Sequence, residues 1–592
     1  MPNKLSQFWQ ELKRRKVIHV IIVYATTAFI IIELITNVSE PLRLPEWTPT
    51  LVILILVIGF PLAVIFSWIF DVSSDGVQKT KPLKDVEKGE DSAVSSSWRI
   101  ATYVSVVIII GFIVFNILSR SRHSDDLFSL EKSIAVLPFE NMSDSEEYSH
   151  LGDAMTDEII LELQKINELD RVLSRTSTIQ FKTNRSSIPE IADKLGVNYI
   201  IEGSIQRHKE DVSIRVQVIR AKHEDLVWGD EYDGKWEDIF SIQDEIAFRV
   251  ANELKTVLSP EEIRKIEKNP TESLKAYNLY LIGRYYWNNR TEEGFLTGIE
   301  YFRQAIEEDP AYALAYAGIA DCYNLLGWHD LFPSEVVYPK AKSAAETALL
   351  MDENLSQAHA SLAYVKMLYD WNWQAAEKGF KRALEINPNY AEAHQWYSEY
   401  LAYMERHDES IAEAKRAQDL DPLSLSISHN LGLVFYEAHK FDLAIEEYQN
   451  TLQMDSSFIV AYNYLGLAYA GKKMYNEALI NIQKAVELDA KQSPLYIGTL
   501  GFIYVSMGNG DEAREVLEHL LELSRIRYIA PVSLAILYGA LGQKDQAFEW
   551  MEKGYEVRDD YLMVLKVDPR LDSLRSDPRY QDLLDRMNFP DK

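Results

Sequence analysis

Asp144, Glu146, Glu147, His150 and Asp153 stand close together in the sequence and are of the types that hold a hard cation. Carboxylate oxygens suit calcium or magnesium. The run lacks the D-x-[DN]-x-[DN]-G order of a calcium loop. Acids ahead of a helix N-terminus are favoured by the helix dipole without any ion, so a solvated loop is expected here and no metal. Nucleophilic and ligating chemistry is thin elsewhere. The 12 histidines fall in no His-Glu-x-x-His or comparable spacing. No Walker A loop, Gly-x-Gly-x-x-Gly run or Gly-x-Ser-x-Gly elbow occurs in the sequence. The single cysteine, Cys322, rules out an intrachain disulfide and lies among apolar packing positions, as a small core residue would. No catalytic residue, cofactor or metal site is expected, and the chain is read as a binding protein rather than an enzyme.

The residues that do stand out are those of protein interfaces. Tyr280, Arg284 and Trp287 lie at i, i+4 and i+7, on one face of a helix, and Tyr, Trp and Arg dominate interface hot spots. Packing against the preceding segment is the competing use of the same face. Gln395, Glu399, Tyr403, His429, Tyr436 and Asn463 fall in the same register further along the chain. Together these nine positions are the candidate partner-binding groove, for a protein or peptide segment.

A period positions them. Short polar signals end each unit, and their second residues, Asp309, Asp352, Asn387, Asp421, Asp455 and Asp489, stand at intervals of 43, 35, 34, 34 and 34 residues. A repeat of that size is a helical hairpin too small to bury its apolar face alone, so neighbours must stack. Small residues recur where two helices approach: Gly283, Ala320, Ala363, Gly432, Gly466, Gly501 and Ala535, with Ser398 a looser match. The pattern is that of tetratricopeptide repeats, in about eight units over residues 273–559. Residues 560–592 resemble the end of such arrays, a charged cap. The first two units are lengthened, the second between Gly327 and Pro339, and insertions in a solenoid map to loops on one face. The Lys and Asn set of chaperone-type clamps is absent, since Tyr280 and Arg284 hold the corresponding positions.

The 592-residue chain is too long for one core. Its formal charge of −29 argues against nucleic acid, whose phosphates it would repel. The first 16 residues are the exception, with Lys4, Lys13, Arg14, Arg15 and Lys16 against Glu11. Apolar runs follow at 17–38, 49–70 and 100–118. Each has the length of about 20 residues that crosses a bilayer about 30 Å thick, so three transmembrane helices are expected, with the lipid bilayer as a partner. Lys and Arg bias then places the N-terminus in the cytoplasm and the residues after Leu118 outside it. Glu33 within the first run is expected near the outer interface.

Residues 132–257 change pattern. Ser133–Phe139 reads as a buried strand, Thr156–Ile166 as a helix, and Ile188–Leu195 as a helix ended by Gly196. Val197–Arg207 and Val212–Ala221 alternate as a hairpin, Leu226–Tyr232 as a further strand, and Asp238–Val257 as an amphipathic helix. The class is mixed α/β in one small domain. Its segments Ser133–Asn141, Arg175–Ser177, Gly196–Gly203, Trp228–Tyr232 and Asp238–Ile246 resemble the TolB-like, or FlgO-like, N-terminal domain. Phe8–Lys16 and Gly59–Pro61 are similar to the membrane module that often precedes it. The resemblance implies a multi-pass protein of the bacterial inner membrane, with its α/β domain and repeats in the periplasm and no known reaction. Relatives place the module beside a cyclase or DNA-binding domain. With 16 residues before the first apolar run, neither is expected here. A scaffold for protein partners is the function so implied. A sensory component signalling to a separate cytoplasmic protein is the alternative, and an enzyme of unidentified type a distant third.

Overall fold

The computed structural model describes residues 12 and 17–39, parts of 52–79, and residues 131–590 apart from 146, 147, 184, 185 and 329–331. It forms two compact units, Met1–Leu130 and Glu131–Lys592.

The first unit holds a 23-residue helix, Val17–Ser39. Thr26 and Thr27 return their hydroxyls to the carbonyls of Ile22 and Val23, each at 2.9 Å. The Tyr24 hydroxyl donates to the Leu56 carbonyl at 2.7 Å, and its ring meets Phe60 edge-on. Phe70–Ser73 pairs antiparallel with Gly76–Lys79. The three expected transmembrane helices are corrected here: among the described residues no helix is long and apolar enough to cross a membrane. The first run carries His19, Thr26, Thr27, Glu33 and Asn37 among its apolar residues. The second run gives way at Phe70 to the hairpin. The third, 100–118, the basic N-terminal residues, the loop beyond Lys79 and the Glu33 side chain lie outside the described residues.

The second unit begins with a mixed six-stranded sheet: β1 (Ser133–Val136), β2 (Glu140–Asn141), β3 (Arg171–Val172), β4 (Tyr199–His208), β5 (Asp211–Arg220) and β6 (Asp225–Lys235), in the order β3-β1-β4-β5-β6, with β2 also on β4. β1 runs parallel to β3 and β4, which require crossover connections, and β4-β5-β6 is an antiparallel meander. The alternation in β5 buries Val212, Ile214, Val216 and Val218 on one face. Ile239, Ile242, Ile246 and Val250 of the helix Ile239–Glu253 join them in one core. The helix Ile188–Leu195 starts with a Ser187–Glu190 capping box and stops at Gly196, whose φ of 64° is left-handed.

Eight helix pairs follow: Leu274–Trp287 with Glu292–Glu308, Ala313–Trp328 with Ser334–Met351, Ser356–Leu368 with Trp373–Ile386, Ala391–Tyr403 with His407–Leu420, Leu425–Glu437 with Phe441–Met454, Ile459–Gly471 with Tyr475–Leu488, Pro494–Met507 with Gly510–Leu523, and Pro531–Ala540 with Lys544–Val557. The small-residue positions are where the helices meet. A Cβ at Gly432 would come within 2.6 Å of the Tyr448 ring, and one at Gly283 within 2.6 Å of Phe302.

Two features go beyond a free-standing stack. The α/β segment and the repeats fall within one compact unit. Gln164 exchanges hydrogen bonds with Asn387 and the Asn389 carbonyl, Ser177 donates to Asp421, and Gln243 donates to the Tyr277 hydroxyl at 2.7 Å. The tail also does more than cover the last helix. It returns to the second and third pairs: Tyr338 donates to Asp560 at 2.7 Å, Trp373 to the Met587 carbonyl at 3.0 Å, and the Trp373 and Phe589 rings stack at 4.4 Å.

Candidate functional site

The nine groove positions fall in two places. Tyr280, Arg284 and Trp287 lie at the seam between the first repeat and the α/β segment. Tyr280 is buried between Phe302 and Tyr312, with centroids at 5.6 and 5.2 Å. The Arg284 guanidinium lies over Trp287 at 4.2 Å, and Arg290 approaches the same ring at 4.0 Å. Asn288, next on this helix, donates to Asp157 at 2.8 Å. Arg175 reaches Asp157 at 3.0 Å and Asp153 at 3.3 Å, and Lys182 reaches Asp153 at 2.9 Å. Burial pushes Asp157 above the carboxylate range, while Arg175 and Arg284 pull it back. Burial, then Glu162 and Asp157, pushes Glu158 up to about 8. On this face the groove meets the chain's own acids.

The acidic run beside β2 is spread by the same seam. Asp153 is buried against Arg175 and Lys182, Asp144 is exposed, and burial, then Arg207, lowers His150. Glu146 and Glu147 lie outside the described residues. Cys322 is fully buried, which pushes its thiol up.

The other positions lie further along the repeat array. Glu399 accepts from Tyr364, Gln395 and Asn430 at 3.3, 3.4 and 3.3 Å, and burial pushes its carboxyl up to about 8. Asn463 is fully buried, with neither amide atom hydrogen-bonded among the described residues. Tyr403, His429 and Tyr436 line a cavity of about 600 Å³. Its walls come from the first helices of the fourth to eighth pairs and the loops beside them, and its other side is the tail 560–570. Burial lowers His429 to about 4, so its imidazole is neutral at pH 7. Its ring lies 4.9 Å from that of Tyr464.

Among the residues of this cavity that sequence reasoning missed, four carry charge or a hydroxyl central to it. Glu437 sits one 34-residue period after Tyr403, so the register that gave Tyr403 also points to it. Tyr561, Asp568 and Arg570 come from the tail, which carries no repeat register. Arg570 pairs with Asp568 at 2.6 Å, both side chains 5% exposed, and its guanidinium also donates to the Tyr561 hydroxyl. Glu437 is 3% exposed, lines the cavity, and has no hydrogen bond or ion pair among the described residues. Chemically, the cavity offers aromatic faces and a carboxyl. A second cavity of about 390 Å³, between the sixth and seventh pairs, contains none of the nine positions.

Comparison with known proteins places these parts. Residues 130–249 match the model of the HilA/YgeH-like transcriptional regulator, second domain. Residues 459–492 and 496–526 match the tetratricopeptide repeat. Putative adenylate cyclase 3 of Rhizobium meliloti is 30% identical over 236 residues, 39% of this chain and 39% of that protein. Transcriptional regulator HilA of Salmonella typhimurium is 21% identical over 396 residues, 66% of this chain and 69% of that protein. The solved structure of pilF from Pseudomonas aeruginosa is 20% identical, covers 35% of this chain and 93% of its own, and has a TM-score of 0.28. The chain thus spans well under half of the first of these relatives, and it is a protein that contains tetratricopeptide repeats behind a segment similar to the second domain of HilA/YgeH-like regulators.

Proposed function

We propose that this chain is a scaffold whose repeat array holds a segment of a protein partner on its concave side. The observation that carries this reading is the cavity under the tail, where Tyr403, His429 and Tyr436 come together from two repeats. Repeats of this kind are binding surfaces by construction: each hairpin is spent on stacking, and the residues outside the packing set face the groove. Tyr280, Arg284 and Trp287 serve the internal seam in this reading, and the partner is held further along. The proposal contains no catalytic step. The TolB-like resemblance fits it as an architecture in which an α/β segment precedes repeats.

A photo-crosslinking residue at Ser426, exposed at the cavity edge, tests the proposal against one at Asp511, exposed on a second helix. Capture in living cells of one discrete partner from Ser426 and none from Asp511 is the expected outcome. Equal capture at both sites would remove the concave side from the account.

A second reading has its own support. The match of residues 130–249 to a regulator's second domain, and of 396 residues to HilA, favours a regulatory module that senses a ligand and signals to a separate output protein. A crosslinked partner that itself carries an output domain would favour this reading over a passive scaffold.

A further inference from the structure

We propose that the cavity between the repeat array and the tail is a site for an organic cation, an alkylammonium or guanidinium head held by the Glu437 carboxyl against tyrosine faces. The inference rests on the reading of this cavity as the binding site and names the chemistry it takes.

Three observations carry it. The first is charge. Of the four acids that line the cavity, Glu292 is exposed to water at its edge, Asp568 is held by Arg570 and Asp560 accepts from Tyr338. Glu437 lines the same space at 3% exposure with no hydrogen bond or ion pair among the described residues. A buried ionisable group without a partner is costly, and a ligand of opposite charge removes that cost. Burial, with Asp568 and Glu399 nearby, holds this carboxyl well above its ordinary range against the pull of Arg570, so the empty site carries a neutral acid ready to ionise beside a cation.

The second is the wall. Tyr403, Tyr436, Tyr464 and Tyr561 line the cavity. The Tyr436 and Tyr464 rings meet edge to face at 6.3 Å, and the Tyr464 and Tyr561 hydroxyls are 3.3 Å apart. Ring faces around a carboxyl attract a cation through their quadrupoles, most strongly when water is excluded. The third is what the cationic side chains already do. Arg570 is neutralised by Asp568, and Arg527 donates to the carbonyls of Lys491 and Gln492. The Arg570 charge is thus balanced inside the cavity, Arg527 is tied to backbone carbonyls but keeps its charge and a buried Nε without a hydrogen bond among the described residues, and Lys491 is exposed at the edge. The volume of about 600 Å³ falls within the usual range of small-ligand sites.

The head group could belong to a free amine or to a Lys or Arg side chain of a peptide. Isothermal titration calorimetry of the full-length chain with choline, spermidine and the blocked pentapeptide Gly-Gly-Arg-Gly-Gly separates these sources, with inorganic phosphate as the opposite charge. Saturable binding of at least one cation is expected, weakened about tenfold or more in Glu437→Gln, the loss of roughly 1.4 kcal/mol of attraction. Tyr464→Phe, which keeps the ring, should bind as the parent does, and Tyr464→Leu should bind several-fold more weakly. Thermal unfolding of each variant checks folding, and if Glu437→Gln does not fold, the Tyr464 pair decides. Tighter binding of phosphate than of any cation overturns the proposal. So does equal cation binding by parent and Glu437→Gln, or equal binding by the two Tyr464 variants. Silence with every probe overturns the cation site while leaving the crosslinking test of the scaffold reading intact.

Discussion

Burial decides what the acids of this protein do. Glu399 accepts three hydrogen bonds and still has its carboxyl pushed up to about 8, so desolvation outweighs the donors around it. Asp321 and Asp421 are pushed up to about 7, burial again outweighing the Ser361 and Ser177 hydroxyls that donate to them. A carboxyl raised in the folded state binds its proton more tightly there than in the unfolded chain. Its contribution is fully present below the unfolded value and is lost as pH rises through the folded one. The thermal unfolding midpoint is therefore expected to fall between about pH 5 and pH 8. Glu399→Gln, which imitates the protonated carboxyl, should flatten that fall, and differential scanning calorimetry across the range reads it. A midpoint that rises with pH, or the same slope in the variant, would contradict the assignment. At this scale the sequence offers residue types and not environments. Tyr403 and Glu437 share a register position, yet only the fold shows that the second is left without a partner.

At the scale of elements, periodicity carries most of the information. The 34-residue register becomes helix pairs, the alternation after Gly196 becomes β4 and β5, and the positive φ of Gly196 ends its helix. Each is a local pattern with a local physical cause. The seam between the α/β segment and the first repeat is different. Tyr280, Arg284 and Trp287 have the composition of a hot spot whether they meet a foreign segment or the chain's own, and sequence spacing does not separate the two. The residues that decide it, Asp153, Asp157 and Arg175, lie more than 100 positions earlier. Arg175 is 13% exposed and bridges both acids. Arg175→Met should leave them buried without that cation and cost about 3–5 kcal/mol, the usual penalty for breaking a buried pair. Chemical denaturation measures the loss, and hydrogen exchange should quicken in the helix Leu151–Gln164. A variant as stable as the parent would mean that the seam holds without its ion pairs.

For the whole unit Glu131–Lys592, the return of the tail is the feature that makes a cavity out of a groove. Residues 560–570 close one side of it, and residues 587–589 dock on Trp373. The sequence marks residues 560–592 as an end of the array, but nothing periodic connects them to the third helix pair, so their destination could not be read. Among the described residues no helix is long and apolar enough to cross a membrane, against the expectation from the sequence. Hydropathy along a run counts apolar residues without fixing where a helix stops, and the second run ends where the hairpin begins at Phe70. Trp373→Ala removes a buried ring and its bond to the Met587 carbonyl. A loss of about 3–5 kcal/mol is expected, together with faster proteolysis between Pro578 and Phe589. If the tail stays protected in that variant, its docking does not depend on Trp373. The central claim, that partners are held on the concave side beneath the tail, is tested most directly by photo-crosslinking from Ser426 and Asp511. The account predicts one discrete partner captured from Ser426 alone, and capture from Asp511 to the same extent would contradict it.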